Sequence, residues 1–512
     1  MELFMALLPA LIMITLVIAT RRVLTSLTVG VLIAAFIYAD WSPMGAVRYI
    51  WDSLFAIVTS LEWYLPILAF VVLIGGITSV LTLIGGIRAF ASWSVSKVKS
   101  PVASELLTWG LGVIICIDDY FNALVIGEIS IPITDAYKVS RAKLSYIIDS
   151  TSAPVVIMMP LSTWGAYIVG TIGGLFEAEG YAVHSGFQGF LAAVPFQFYP
   201  MTALIMVLLT IVFRLHIKAM KRYEAYAESG EDASKMETLD SDALPKQGHG
   251  VSHWALIMTV LMLVVVTVLK MFWDGGFRFG LGLFTDHTFD LSSVLEQDIT
   301  IPLFFGGVAA LLVTFLFSFK AKGVGFLQTA KVASNGMGAM VRSAVAILVL
   351  AWMVSGAIQD LDAGSLLADK LASTNLSNAV LPVVMFLVAG IIAFATGTSW
   401  GAFGILLPIA IPLAVSADAT LMPVLIAAVL GGAVFGDHAS PVSDTTVLSA
   451  TGAGAKLHAH FISQLPYTLI AASIAALAYI AYGLTGVLVV SYGVMVVGLL
   501  LYVKLAGRSE DN

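Results

Sequence analysis

Asp437, His438, Ser443, Asp444 and Thr445 fall within one dozen residues, FGDHASPVSDTT, directly after the apolar run LMPVLIAAVLGGAV. Carboxylates and hydroxyls at this density are hard oxygen donors, and a Na+ ion asks for several neutral oxygens and one negative charge. A carboxylate can also hold Na+ and H+ in turn, and an imidazole titrates near pH 6.5. Asp437 and His438 are therefore the candidates for proton coupling. A related set lies earlier in the chain: Asp118, Asp119 and Asn122 in CIDDYFN, Asp149, Ser150 and Thr151 in DSTSAP, and Ser162 and Thr163 in PLSTW. Thr398 and Ser399 in ATGTSWG complete it. For Na+ the candidate ligands are Asp118, Asp119, Ser162, Thr163, Thr398, Ser399, Asp437, Ser443, Asp444 and Thr445. More hydroxyls are present than one Na+ needs, so Asn122, Ser150, Thr151, Thr163 and Ser399 are the candidate groups for a small organic solute, an amino acid or small carboxylate. Asp149 is expected to join the same polar layer, whereas His458 and His460 read as surface histidines.

These groups must be positioned inside a membrane. Hydrophobic residues make up 59% of the 512 and charged residues 11%, against about 25% charged in soluble domains. The mean hydropathy is +0.97. The net charge of -7 offers no basic face for nucleic acid, and the single cysteine, Cys116, rules out an intramolecular disulfide or a Cys-based zinc site. There is no P-loop for an ATP-driven pump and no motif for an organic cofactor. An intramembrane aspartyl protease would pair Gly-Asp with Tyr-Asp, which is missing here, and a channel has little use for two matched polar breaks. The expectation is a transporter rather than an enzyme.

Apolar runs near 3–19, 23–39, 64–84, 144–172, 190–213, 254–272, 301–319, 340–358, 423–450, 461–482 and 485–504 are the expected crossings. Two more, near 103–135 and 380–415, carry polar centres and read as re-entrant hairpins. With the N-terminus outside, the Lys/Arg-rich connections, including Lys138, Arg141 and Lys143, the 214–253 loop and the one holding Lys331, fall inside. A shift of 280 positions lays CIDDYFNALVIGEISIPI on FATGTSWGAFGILLPIAIPL, and one residue further PLSTW falls on PVSDT. Each copy has an odd number of crossings, so the second is inverted. The expected fold is an all-α polytopic membrane protein of about 11 transmembrane helices plus two re-entrant hairpins. Its expected parts are repeats at 1–213 and 254–482, a cytoplasmic linker at 214–253, and an extra helix and tail at 483–512.

The string FGDHASPVSDTTVLSATGAGAKLHAHFISQLPYTL, with DDYFNALVIGEISIPITD and RAKLSYIIDSTSAPVVIMMPLSTWGAYIVG, resembles the NhaC family of sodium/proton antiporters within the ion-transporter superfamily. The resemblance covers most of the chain. It implies a bacterial inner membrane, Na+ coupling, inverted repeats with two hairpins, and homodimers whose transport domains move like an elevator. The family also holds malate/lactate exchangers and amino-acid carriers. The expectation that follows is Na+-coupled transport of a small organic solute, with simple Na+/H+ antiport as the alternative. The termini are expected in the periplasm (N) and the cytoplasm (C).

Overall fold

The computed structural model describes residues 2–20, 23–59, 64–95, 98–116, 118–181, 185–229, 251–274, 300–361, 366, 377–441 and 443–510. Among them there are helices and connections but no β-strand. The first half contains α1 (Glu2–Thr20), α2 (Val23–Tyr38), α3 (Pro43–Thr59), α4 (Tyr64–Ile84), α5 (Gly86–Val95), α6 (Pro101–Ile114), α7 (Asp119–Ala136), α8 (Arg141–Thr151), α9 (Ala153–Val156), α10 (Thr163–Ala178), α11 (Gly186–Ala193) and α12 (Phe198–Val212). After α13 (Ala219–Ser229) the second half contains α14 (Trp254–Asp274), α15 (Thr300–Ser318), α16 (Phe326–Met340), α17 (Ala346–Asp360), α18 (Leu381–Thr396), α19 (Ser399–Ala417), α20 (Met422–His438), α21 (Asp444–Ala453), α22 (Leu457–Thr485) and α23 (Leu488–Glu510). Seven described helices are 18 residues or longer and apolar enough to cross a bilayer, and α11 with α12, bent by 50°, makes an eighth.

The polar stretches are where apolar helices stop. Between α18 and α19 the chain turns at Gly397, whose φ of 71° lies in the left-handed region open to glycine. Between α6 and α7 the device is a side chain. The Asn122 amide donates to the carbonyls of Gly112 (2.8 Å) and Ile115 (2.7 Å), which the end of α6 leaves without helical partners. The later breaks use hydroxyl caps. Ser162 accepts from the Gly165 amide at 2.8 Å and starts α10, and Ser443 accepts from the Thr446 amide at 3.3 Å and starts α21.

The two halves interlock through these pieces. A Cβ on Gly127 of α7 would meet the Gly452 carbonyl of α21 at 2.1 Å, so only glycine allows that approach. In return, Trp164 at the start of α10 packs on Trp400 and Phe403 of α19, with ring centroids 5.6 and 5.4 Å away.

The breaks read at PLSTW and PVSDT divide the runs 144–172 and 423–450, into α8, α9 and α10 in the first and α20 and α21 in the second. Other expectations change. Lys331 lies in α16, not in a loop, because that helix begins at Phe326 and runs through a π-turn at Val341–Val345 into α17. The 214–253 segment is not wholly a solvated linker. Its first part forms α13, on which Met220, Tyr223 and Glu224 are buried; residues 230–250 lie outside the described ones, as does most of 360–370. The Glu224 carboxylate of α13 accepts from the Ser140 amide at 2.9 Å and lies near Lys143, expected in a solvated connection but fully buried. The Lys143 ammonium lies 2.8 Å from Glu105 of α6, 2.9 Å from the His216 ring and 3.8 Å from Glu224.

Candidate functional site

Asp437 sits on the last turn of α20 and is 1% exposed. Ser399, first residue of α19, donates to its Oδ2 at 2.8 Å. Ser443, the cap of α21, donates to Oδ1, and Thr445 approaches the same oxygen at 3.4 Å. Ser443 and Thr445 also touch each other at 2.8 Å. One buried carboxylate is thus met by a hydroxyl from the α18–α19 turn and by two from the break after α20. Charge-assisted hydrogen bonds of this kind fix the position of the carboxylate oxygens. The donor set, all oxygen with a single charge, suits a monovalent hard cation. Among the described residues no three His, Cys, Asp or Glu side chains gather as they would for a transition metal.

In the first half the pieces trade places. The acids lie on the turn and the hydroxyl on the break: Thr163 donates to Asp118 at 3.0 Å, and the Trp164 indole donates to Asp119 at 3.1 Å. Ser152 donates to the Asp119 carbonyl at 2.7 Å.

The other candidate residues divide. Asn122 and Thr151, considered for a solute, serve the backbone instead: Asn122 clasps the end of α6, and the Thr151 hydroxyl bonds to Ile147 of its own helix at 2.8 Å. Ser162 bonds to the Met159 carbonyl at 2.7 Å while capping α10. Thr398 is buried at the α18–α19 turn as the N-cap of α19. Asp444 begins α21, but its side chain lies outside the described residues. Ser150 meets the His438 Nε2 at 3.1 Å, and the other ring nitrogen pairs with the Tyr199 hydroxyl at 2.8 Å. His438 therefore faces α8 and α12, while its neighbour Asp437 faces α19 and α21. The helix stays regular through both residues, so the ~100° between successive side chains is kept. The break comes too late to bring them together.

Asp149, expected in the polar layer, has partners the sequence did not suggest. Asp149 is 1% exposed and is bonded by Gln464 (2.6 Å), His460 (3.2 Å) and Ser449 (3.2 Å), with Thr446 at 3.5 Å. His460 is fully buried rather than a surface residue; only His458 is exposed. The available signal was HAHFISQLPYTL, where His460 and Gln464 stand four apart on one face of an apolar helix.

Comparison with known proteins names the class of machine. The Na+/H+ antiporter family profile matches residues 155–484. This chain belongs to the Na+/H+ antiporter family. An uncharacterized protein of Haemophilus influenzae is 36% identical over 482 residues, 93% of this chain and 90% of the relative. The malate-2H+/Na+-lactate antiporter of Bacillus subtilis is 28% identical over 206 residues, 40% of this chain and 42% of its own. Among solved structures, the YdaH transporter of Alcanivorax borkumensis shares the fold, with a TM-score of 0.51, 13% identity and coverage of 87% of this chain and 90% of that one. The protein is a polytopic membrane protein and a secondary transporter, not an enzyme.

Proposed function

We propose that the protein exchanges Na+ for H+ at Asp437, with Ser399, Ser443 and Thr445 completing the cation seat. The observation that carries this reading is the single buried carboxylate reached by hydroxyls from two separate elements. One negative charge neutralises one Na+ or one proton, not both, and alternate occupancy of one group is the essence of exchange. Each hydroxyl that now donates to Asp437 has lone pairs to offer an ion when it rotates. Asp118 and Asp119, with Thr163, form the matching polar pair of the other half. His438 orients the end of α20 through Ser150 and Tyr199. In this reading residues 1–213 and 254–482 are inverted repeats, α6–α7 and α18–α19 are the re-entrant hairpins, and the protein works in a bacterial inner membrane with its N-terminus outside. A homodimer with elevator movement follows from the same architecture.

Coupled transport of a small carboxylate is the second reading, favoured by the relative named as a malate and lactate antiporter. Ser150, Thr163 and Ser399 are the hydroxyls it would draw on, since Asn122 and Thr151 are engaged with backbone. Proteoliposomes loaded with a pH-sensitive dye separate the two. A Na+ gradient alone should move protons; if internal pH changes only when lactate, malate or an amino acid is added, the solute reading replaces the first.

A further inference from the structure

We propose that Asp149 and His460 form a second proton site, so that more than one H+ moves per Na+. The proposal rests on the Asp437 reading only for where Na+ sits. Asp149 belongs to α8, in the first half, yet the side chains that hydrogen-bond its carboxylate all come from the second: Thr446 and Ser449 of α21, and His460 and Gln464 of α22. The titratable groups facing it are His460 of α22, 3.2 Å away, and His438 of α20, 4.0 Å away. Tyr199 of α12 stands behind His438. A lone carboxylate buried here would be costly, and one proton shared with His460 makes the pair neutral overall.

The histidine has room to take part. One ring nitrogen of His460 faces Asp149, while the other, Nδ1, is buried without a hydrogen-bond partner among the described residues. A histidine serving only as a strut would be tethered at both nitrogens, as His438 is by Tyr199 and Ser150. The neutral ring gives its Nε2–H to Asp149; an added proton goes to the pair, and its loss returns the pair to one negative charge.

Two links tie this charge to the cation seat. The Gln464 amide bonds both Asp149 (2.6 Å) and the carbonyl of His438 (2.7 Å), the residue after Asp437. Successive residues at the start of α21 serve different acids: Thr445 reaches toward Asp437 and Thr446 toward Asp149. A shift of α21 that follows Na+ release at Asp437 therefore changes the hydrogen bonds of Asp149.

The test is the coupling ratio. Purified protein in vesicles is given opposed Na+ and pH gradients, and the gradient pair at which net Na+ flux stops gives H+ per Na+. The wild type should exceed one. His460→Gln and Asp149→Asn should each transport one proton fewer while retaining exchange of radiolabelled Na+ at equilibrium. A purely structural role would leave the ratio unchanged. A wild-type ratio of one, an unchanged ratio in either exchange-competent variant, or loss of Na+ exchange in both folded variants would overturn the proposal. Asp437→Asn in the same vesicles is read separately: retained Na+ exchange there removes the cation seat and leaves the ratio measurement on His460→Gln intact.

Discussion

At the level of single residues, some of the buried hydroxyls face the Asp437 carboxylate and others serve the backbone. Ser443 is ambiguous, because it bonds Asp437 and also caps α21. Ser399 is the cleaner probe: its hydroxyl donates to Asp437, and the N-cap of its helix is Thr398. In the proposed seat that hydroxyl is also one of the oxygens offered to Na+, so Ser399→Ala should raise the half-saturating Na+ concentration several-fold. Sodium titration of transport checks this, and the lost buried hydrogen bond should lower thermal stability modestly. The acid-rich motif was legible in the sequence because ionisable residues are rare and expensive in a membrane. The roles of Asn122 and His460 were not. The bonds of Asn122 go to carbonyls, and carbonyls carry no sequence signature. His460 looks like a surface residue until Asp149, 311 positions away, is brought beside it.

At the element scale, the apolar runs and their polar interruptions foretold most helices, since a span needs about 20 apolar residues and a buried break needs caps. Helix α13 was missed. Its sequence reads as linker, and its packing depends on partners far along the chain: Glu224 accepts from the Ser140 amide at 2.9 Å and stands 3.8 Å from Lys143, which also meets Glu105 and His216. Removing one partner from a buried ionic cluster costs about 3–5 kcal/mol. Lys143→Met should therefore lower the melting temperature and expose the 214–229 segment to protease. His216 adds a pH dependence. Its burial, then the nearby Lys143 and Arg214 charges, bring its pKa down to about 3 from the usual 6.5. The unfolded chain therefore takes up a proton there before the folded one does. The stability this represents is complete above pH 6.5 and is lost as pH falls toward 3. Melting temperatures measured between pH 7 and 5 should decline for the wild type, and His216→Gln should flatten that slope.

At the scale of the whole molecule, each half contributes a turn and a broken span, and the helix after each break packs beside the other half's turn, α21 on α7 and α10 on α19. The Lys/Arg distribution predicts a cytoplasmic α13. In a Cys116→Ser background, Ser229→Cys should resist an impermeant thiol reagent applied outside the cell and react in inverted vesicles; the opposite pattern would reverse the orientation. All of this serves one claim, that Asp437 is where Na+ is held. The most direct measurement is equilibrium exchange of radiolabelled Na+ in proteoliposomes by the wild type and by Asp437→Asn, which keeps the size and removes the charge. The wild type should exchange Na+, and the folded variant should give no more than protein-free vesicles. Exchange by Asp437→Asn at the wild-type rate under limiting Na+ would contradict it.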